Sequence, residues 1–163
     1  MKYFLDTEFI ERPYYLDPIS VALVCEDGRE FYAINAEADL TKADAWVVEH
    51  VITKLPPRFS KPWMTKAQIA KGIREFIGED RPEVWAYFAS YDWVLFAWLL
   101  GGRMIDLPKG WPMLPMDLKQ AMIERGLKRD ALPPKPTDAH DALADARWLA
   151  AAHKVVMAVP RTT

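Results

Sequence analysis

Two spacings of apolar positions divide this chain. Its first 35 residues alternate or run apolar over short stretches, as strands do, and later segments repeat every three to four residues, as helices do. KYFLDTEF, from Lys2 to Phe9, reads as a strand bounded by the turn-like ERPYYLDP. ISVALVCEDGREFYAINA reads as two strands joined at Asp27-Gly28, a dipeptide suited to a tight hairpin. ADAWVVEHVITKL then carries apolar residues at helical spacing. TKAQIAKGIREFIG opens on Thr65 with Gln68 three positions on, the pattern of a capping box, and Gly78 suits its stop. PEVWAYFA predicts a fourth, apolar strand, and SYDWVLFAWLLGG a buried helix ended by Gly101-Gly102. MDLKQAMIERG predicts a short strand and a helix, and DAHDALADARWLAAAHKVVMAV an Ala-rich closing helix. Three strands followed by alternating helices and strands predict an α/β domain with a mixed sheet flanked by helices.

Composition narrows this picture without changing it. At 163 residues the chain suits one domain, 1–163, with enough core to fold without disulfides or zinc. Cys25, the single cysteine, stands in an apolar strand, which predicts a buried, reduced thiol and a cytoplasmic home. No cationic segment leads into a long apolar stretch, so neither a cleaved signal peptide nor a membrane partner is expected. A net charge of −2 argues against a coat for long nucleic acid and leaves room for a local grip on a few phosphates.

Four acids and one histidine are the candidate chemistry. Asp6 and Glu8 lie two apart on a strand and so share a face. On a solvated edge such a pair needs no explanation. Between Tyr3, Phe4, Leu5, Phe9 and Ile10 the strand reads as covered, and a covered pair needs a cation. Two like charges about 4 Å apart repel by roughly 4 kcal/mol at an effective dielectric of 20, and Mg²⁺ or Mn²⁺ with hard oxygen ligands relieves this. Asp92 follows the fourth strand in the first turn of a helix, where it either complements the helix dipole, with Ser90 as N-cap, or joins a site at the strand-to-helix junction. Asp145 shares a helix face with Asp141. His140, five residues before Asp145, meets it only from a loop at or just before the helix start; the alternative has Asp138 as N-cap and His140 solvated.

As an ordered set these residues resemble the DEDDh group of 3′–5′ exonucleases, a branch of the ribonuclease H-like superfamily. The resemblance covers nearly the whole chain, and HDALADA resembles the family's third motif. The length and the opening MKYFLDTEFIE look most like the small bacterial polyadenylate-specific 3′-exoribonuclease branch. The implied fold is a ribonuclease H-like (DnaQ-like exonuclease) mixed sheet. The implied activity is 3′–5′ exoribonuclease hydrolysis of single-stranded RNA ends, with adenylate-rich tails or 3′ overhangs as substrates. The resemblance further implies that Asp6, Glu8, Asp92 and Asp145 hold two Mg²⁺ or Mn²⁺ ions, that His140 is the general base, that Thr7 and Phe9 border the terminal nucleotide, and that the protein is a homodimer. One departure is visible: many relatives carry His-Asn four to five residues before the second-motif Asp, and here Tyr87-Phe88 stand there.

Two alternatives stay open. A DNA exonuclease of the proofreading type differs by a contact to the 2′-OH, which no residue pattern identifies. A non-catalytic nucleic-acid-binding module could use the same fold, although a binder has no reason to keep mutually repelling acids. For the strand's path, Lys54 to Arg74 contains six basic residues, no acid, and Phe59 and Trp63, a composition able to track phosphates and bases. Lys119 to Lys135, with five basic residues, is a second candidate.

Overall fold

The computed structural model describes residues 1–161. Its first two strands, β1 (Lys2–Arg12) and β2 (Tyr15–Cys25), form one long antiparallel hairpin. The stretch read as a turn, ERPYYLDP, is therefore mostly strand. Tyr14 takes the left-handed conformation (φ 61°), so the chain reverses over Pro13 and Tyr14 and pairing reaches Arg12 and Tyr15. Strand β3 (Glu30–Asn35) follows through the expected Asp27-Gly28 turn, in which Gly28 supplies a φ of 93°. The helix expected after it is α1 (Ala45–His50), capped by the Asp44 carboxylate.

Strand β4 (Trp63–Met64) is two residues long, too short to leave a periodic signal, and adds in parallel to β3. Helix α2 (Lys66–Ile77) carries the reciprocal Thr65–Gln68 capping box and ends at Gly78. Strand β5 (Glu83–Ala86) lies parallel to β1 and leads into α3 (Ser90–Leu100). There the N-cap is Ala89, without a side-chain cap, and Ser90 is already helical. Strand β6 (Met116–Asp117) pairs in parallel with β5 and runs into α4 (Leu118–Ile123), and α5 (Ala142–Met157) closes the fold. The sheet order is β4-β3-β2-β1-β5-β6.

Alternation along β1 sorts its side chains between two cores. Tyr3 and Leu5 pack with Ile69 and Ile73 of α2 and Phe96 of α3. Phe4 faces the opposite way, against Leu118 and Met122 of α4 and Leu149 of α5. Strand β1 is thus central and covered on both faces, the condition under which an Asp-x-Glu needs a counter-charge. A smaller cluster, Ile10, Ile19, Val47 and Val51, seats α1 against the far end of the hairpin.

Candidate active site

Asp6 and Glu8 continue the Phe4 face of β1 toward α5. Between Glu8 and Phe9 the register with β2 shifts: Glu8 pairs with Ser20 and Phe9 with Pro18, leaving Ile19 as an unpaired bulge. A bulge re-aims the side chains beside it. Asp6, Thr7, Glu8 and Phe9 all line one cleft of about 980 Å³, together with Asp92, His140 and Asp145. Glu8, His140 and Asp145 each offer one ligand atom, and these atoms lie within 4.8 Å of one another.

Each acid is held differently. Asp92, buried in the first turn of α3, accepts hydrogen bonds from the Thr7 backbone N–H (2.9 Å) and the Thr7 hydroxyl (2.7 Å). Thr7 is itself buried, and both its hydroxyl and its backbone N–H are engaged with Asp92. Asp145 is 4% exposed; its Oδ1 accepts from Lys135 Nζ at 2.5 Å and its Oδ2 from the His140 backbone N–H at 2.7 Å. The N-cap of α5 is Asp141, which accepts from the Ala144 N–H. His140 therefore precedes the helix, as the looped arrangement requires, and Asp138 is not the cap. His140 has a φ of 68°, and its ring stands edge-on to Trp46 of α1, which also stacks on His50.

The electrostatics follow from crowding acids in a desolvated cleft. Burial first, and then Asp92, Glu8 and Asp145, push the Asp6 carboxyl well above the usual range. Glu8 is pushed up to about 8, by burial and then by Asp145 and Asp92. Burial raises Asp92 to about 6 against the lowering effect of the Thr7 hydrogen bonds. His140 is lowered, mainly by burial, with Asp145 opposing and Lys54, Lys135 and His50 adding. Burial is the first cause of all four shifts, and mutual repulsion among the acids adds to it for Asp6 and Glu8.

Sequence reasoning missed Lys135 as an individual residue. It entered the sequence reading only as the last residue of the basic run Lys119 to Lys135, and the signal for it was position, five residues before His140. The basic run Lys54 to Arg74, by contrast, does not present a continuous track. Arg58 donates to the Ala36 carbonyl and lies over Trp63, Arg74 donates to the Leu100 carbonyl, Lys66 pairs with Asp17 and Lys71 with Glu75. Lys54 turns toward the site, donating to the Ala139 carbonyl next to His140. In the second run, Lys119 to Lys135, Arg125 is spent on the Val159 and Ala121 carbonyls, and Arg129 lies over Trp148.

Comparison with known proteins bears on this arrangement. The profile of the 3′–5′ exoribonuclease Rv2179c-like domain matches residues 1–157. The 3′–5′ exoribonuclease Rv2179c of Mycobacterium tuberculosis (strain ATCC 25618 / H37Rv) is 44% identical over 150 residues, which is 90% of this chain and 88% of the relative. Among solved structures, exonuclease I from Methylocaldum szegediense superposes with a TM-score of 0.67 at 17% identity, over 96% of this chain and 40% of that one. The RNase domain of the yeast Pop2 protein gives 0.55 at 12% identity, over 96% of this chain and 76% of that one. These two likenesses show the fold: a mixed sheet with flanking helices of the ribonuclease H-like type.

Proposed function

The chain belongs to the family of Rv2179c-like 3′–5′ exoribonuclease domains, and from that premise we propose that it removes 5′-nucleoside monophosphates from RNA 3′ ends by metal-dependent hydrolysis. The observation that carries this reading is the convergence of Glu8, His140 and Asp145 within 4.8 Å, in a cleft shared with Asp6 and Asp92. The donor set fits Mg²⁺ or Mn²⁺: hard carboxylate oxygens, desolvated and mutually repelling, with one of them already drawing in an ammonium group.

In this reading Asp6, Glu8, Asp92 and Asp145 hold two divalent ions. When bound, such ions activate a water and offset the charge that develops as the 3′-oxygen leaves phosphorus. The protein's own groups do the rest. Thr7 fixes the Asp92 carboxylate with two hydrogen bonds. His140, whose imidazole is lowered and thus neutral near pH 7, accepts the proton of the attacking water. Its backbone N–H on Asp145 and the Trp46 ring fix where that imidazole stands. Phe9, half-buried against Tyr91, and the backbone of β1 border the terminal nucleotide. Water adds to phosphorus, the bond to the 3′-oxygen breaks, and a nucleoside 5′-monophosphate departs.

The chain is read as one exonuclease domain that works as a homodimer in the cytoplasm. The dimer rests on the family resemblance, and the cytoplasmic home on the free, buried Cys25 thiol. Among the described residues, no helix is long and apolar enough to cross a membrane. The direct test uses 5′-labelled RNA with Mg²⁺ or Mn²⁺. Mononucleotide release from the 3′ end should stop in EDTA and in Asp6→Asn, whose circular dichroism stays that of the wild type. Release that continues in EDTA, or in Asp6→Asn, sinks the proposal. DNA degraded faster than RNA of the same sequence moves the assignment to a DNA exonuclease.

A further inference from the structure

Phe88, like Tyr14 at the hairpin turn, is a residue of this cleft that costs the fold something and to which the chemistry gives no task. It lies in the left-handed region (φ 60°), where a bulky side chain is an outlier. The residue is 61% exposed, and it lines the same cleft as the four acids. Glycine would occupy this backbone position freely, and asparagine at less cost than phenylalanine. Strained backbone of this kind persists only where its surroundings over-determine it, and it gathers at sites that bind or react.

The surroundings here do over-determine it. The next residue, Ala89, donates its backbone N–H to Asp117 Oδ2 at 3.0 Å. Asp117 is anchored in turn as the N-cap of α4 by the N–H groups of Lys119 and Gln120. On its inner side the Phe88 ring stands edge-on to Tyr87 (centroids 4.8 Å apart), and Tyr87 stands edge-on to the buried Trp148 (5.3 Å). The ring is thus buttressed by Tyr87 and otherwise largely exposed. Such a geometry suits a flat π-surface arriving from the cleft, and nucleobases are the flat π-surfaces that a ribonuclease admits.

We propose that Phe88 is a stacking platform for one unpaired base of the RNA strand, positioned by the Asp117-anchored turn. This inference rests on the exoribonuclease reading. It adds a binding contact that the metal chemistry does not need, made by a residue standing where many relatives have Asn.

The test measures anisotropy of a 5′-fluorescein RNA 12-mer, with Ca²⁺ replacing Mg²⁺ so that the strand is not consumed, together with the melting temperature of each variant. Phe88→Gly should weaken binding roughly tenfold, as loss of one base–aromatic stack does, while its melting temperature stays the same or rises because the strain is gone. Phe88→Trp should keep wild-type affinity. RNAs with a single abasic nucleotide at each of the last three positions should locate the base. At one position wild type falls to the affinity of Phe88→Gly, and that variant is indifferent. Equal binding by Phe88→Gly and wild type overturns the proposal, as does a loss of affinity accompanied by a fall in melting temperature, or the lack of any abasic position that abolishes the difference. Wild-type protein that neither binds nor shortens RNA removes the ribonuclease reading and this proposal with it. Wild-type protein that does both, beside an unaffected Phe88→Gly, removes the Phe88 assignment alone.

Discussion

Replacing Lys135 by methionine separates two roles that a cation in this cleft can have. Methionine keeps most of the length of the chain and its packing over Trp148, whose ring centre lies 4.1 Å from the ammonium, and removes only the charge. Unit charges 2.5 Å apart, as Lys135 Nζ and Asp145 Oδ1 are, attract by about 7 kcal/mol at an effective dielectric of 20. Most of that is offset. Asp145 is 4% exposed, so its carboxylate has lost its water, and the lysine side chain is 41% exposed, so solvent screens the pair. A net ~1–2 kcal/mol remains. The metal-free variant should therefore melt about 2–8 °C below wild type. A dication approaching Asp145 must displace the ammonium, so the variant should bind Mn²⁺ more tightly, by roughly five- to thirtyfold. Calorimetric titration with Mn²⁺ reads the second effect, and thermal melting in EDTA and in saturating Mn²⁺ reads the first, which should shrink when the ion is present. Equal or weaker Mn²⁺ binding by Lys135→Met would refute the idea that the ammonium stands in an ion's place.

Three further outcomes follow from the same geometry. Glu8, raised to about 8 chiefly by burial, keeps a proton in the folded protein that the unfolded chain, titrating near 4.5, has released. Its contribution to stability is complete below about pH 4.5 and is lost as pH rises through 8. In EDTA the melting temperature should fall between about pH 7 and 9, above the range in which the lowered imidazoles of His140 and His153 act with the opposite sign, and Mg²⁺ should flatten the curve; a rise in EDTA contradicts the assignment. Thr7→Val keeps the shape of a buried β-branched side chain and removes the hydroxyl that Asp92 accepts, so denaturant melts should lose about 1.5–3 kcal/mol and kcat should fall, with KM less affected. Sedimentation at micromolar concentration should give the mass of a dimer of the 18.7 kDa chain, and a monomer peak rejects that expectation.

What was legible in the sequence was whatever the period of an element constrains. Asp6 and Glu8 could be read together because a strand puts every second residue on one face, and their apolar neighbours implied that both faces are covered. The capping box at Thr65–Gln68 and the hairpin at Asp27-Gly28 follow from local chemistry and appear as expected. Asp92 was readable as a junction residue, but Ser90 was misplaced as its cap because the chain enters α3 through a turn held by Asp117, 28 residues away from Ala89. The bulge at Ile19, opposite Glu8 and Phe9, has no signature in an unbroken apolar run. Nor does it show in a sequence that Thr7 is spent on Asp92 rather than left for the substrate.

The basic run is dispersed for a related reason. Counting charge along the chain ignores that helix α2 and the segment before it point successive side chains in different directions, so Lys66, Lys71 and Arg74 find separate partners on the protein. Lys135 is the reverse case: an isolated cation between prolines, in a stretch without periodicity, that the fold carries to the most buried acid of the cleft. Position relative to the acids, and not local charge density, therefore decides which cations of this protein act on the acids of the cleft. With four carboxylates lining one cleft, Lys135, 2.5 Å from Asp145, and Lys54, which lowers Glu8, are cations whose field reaches those acids, although neither marks a peak of charge along the chain.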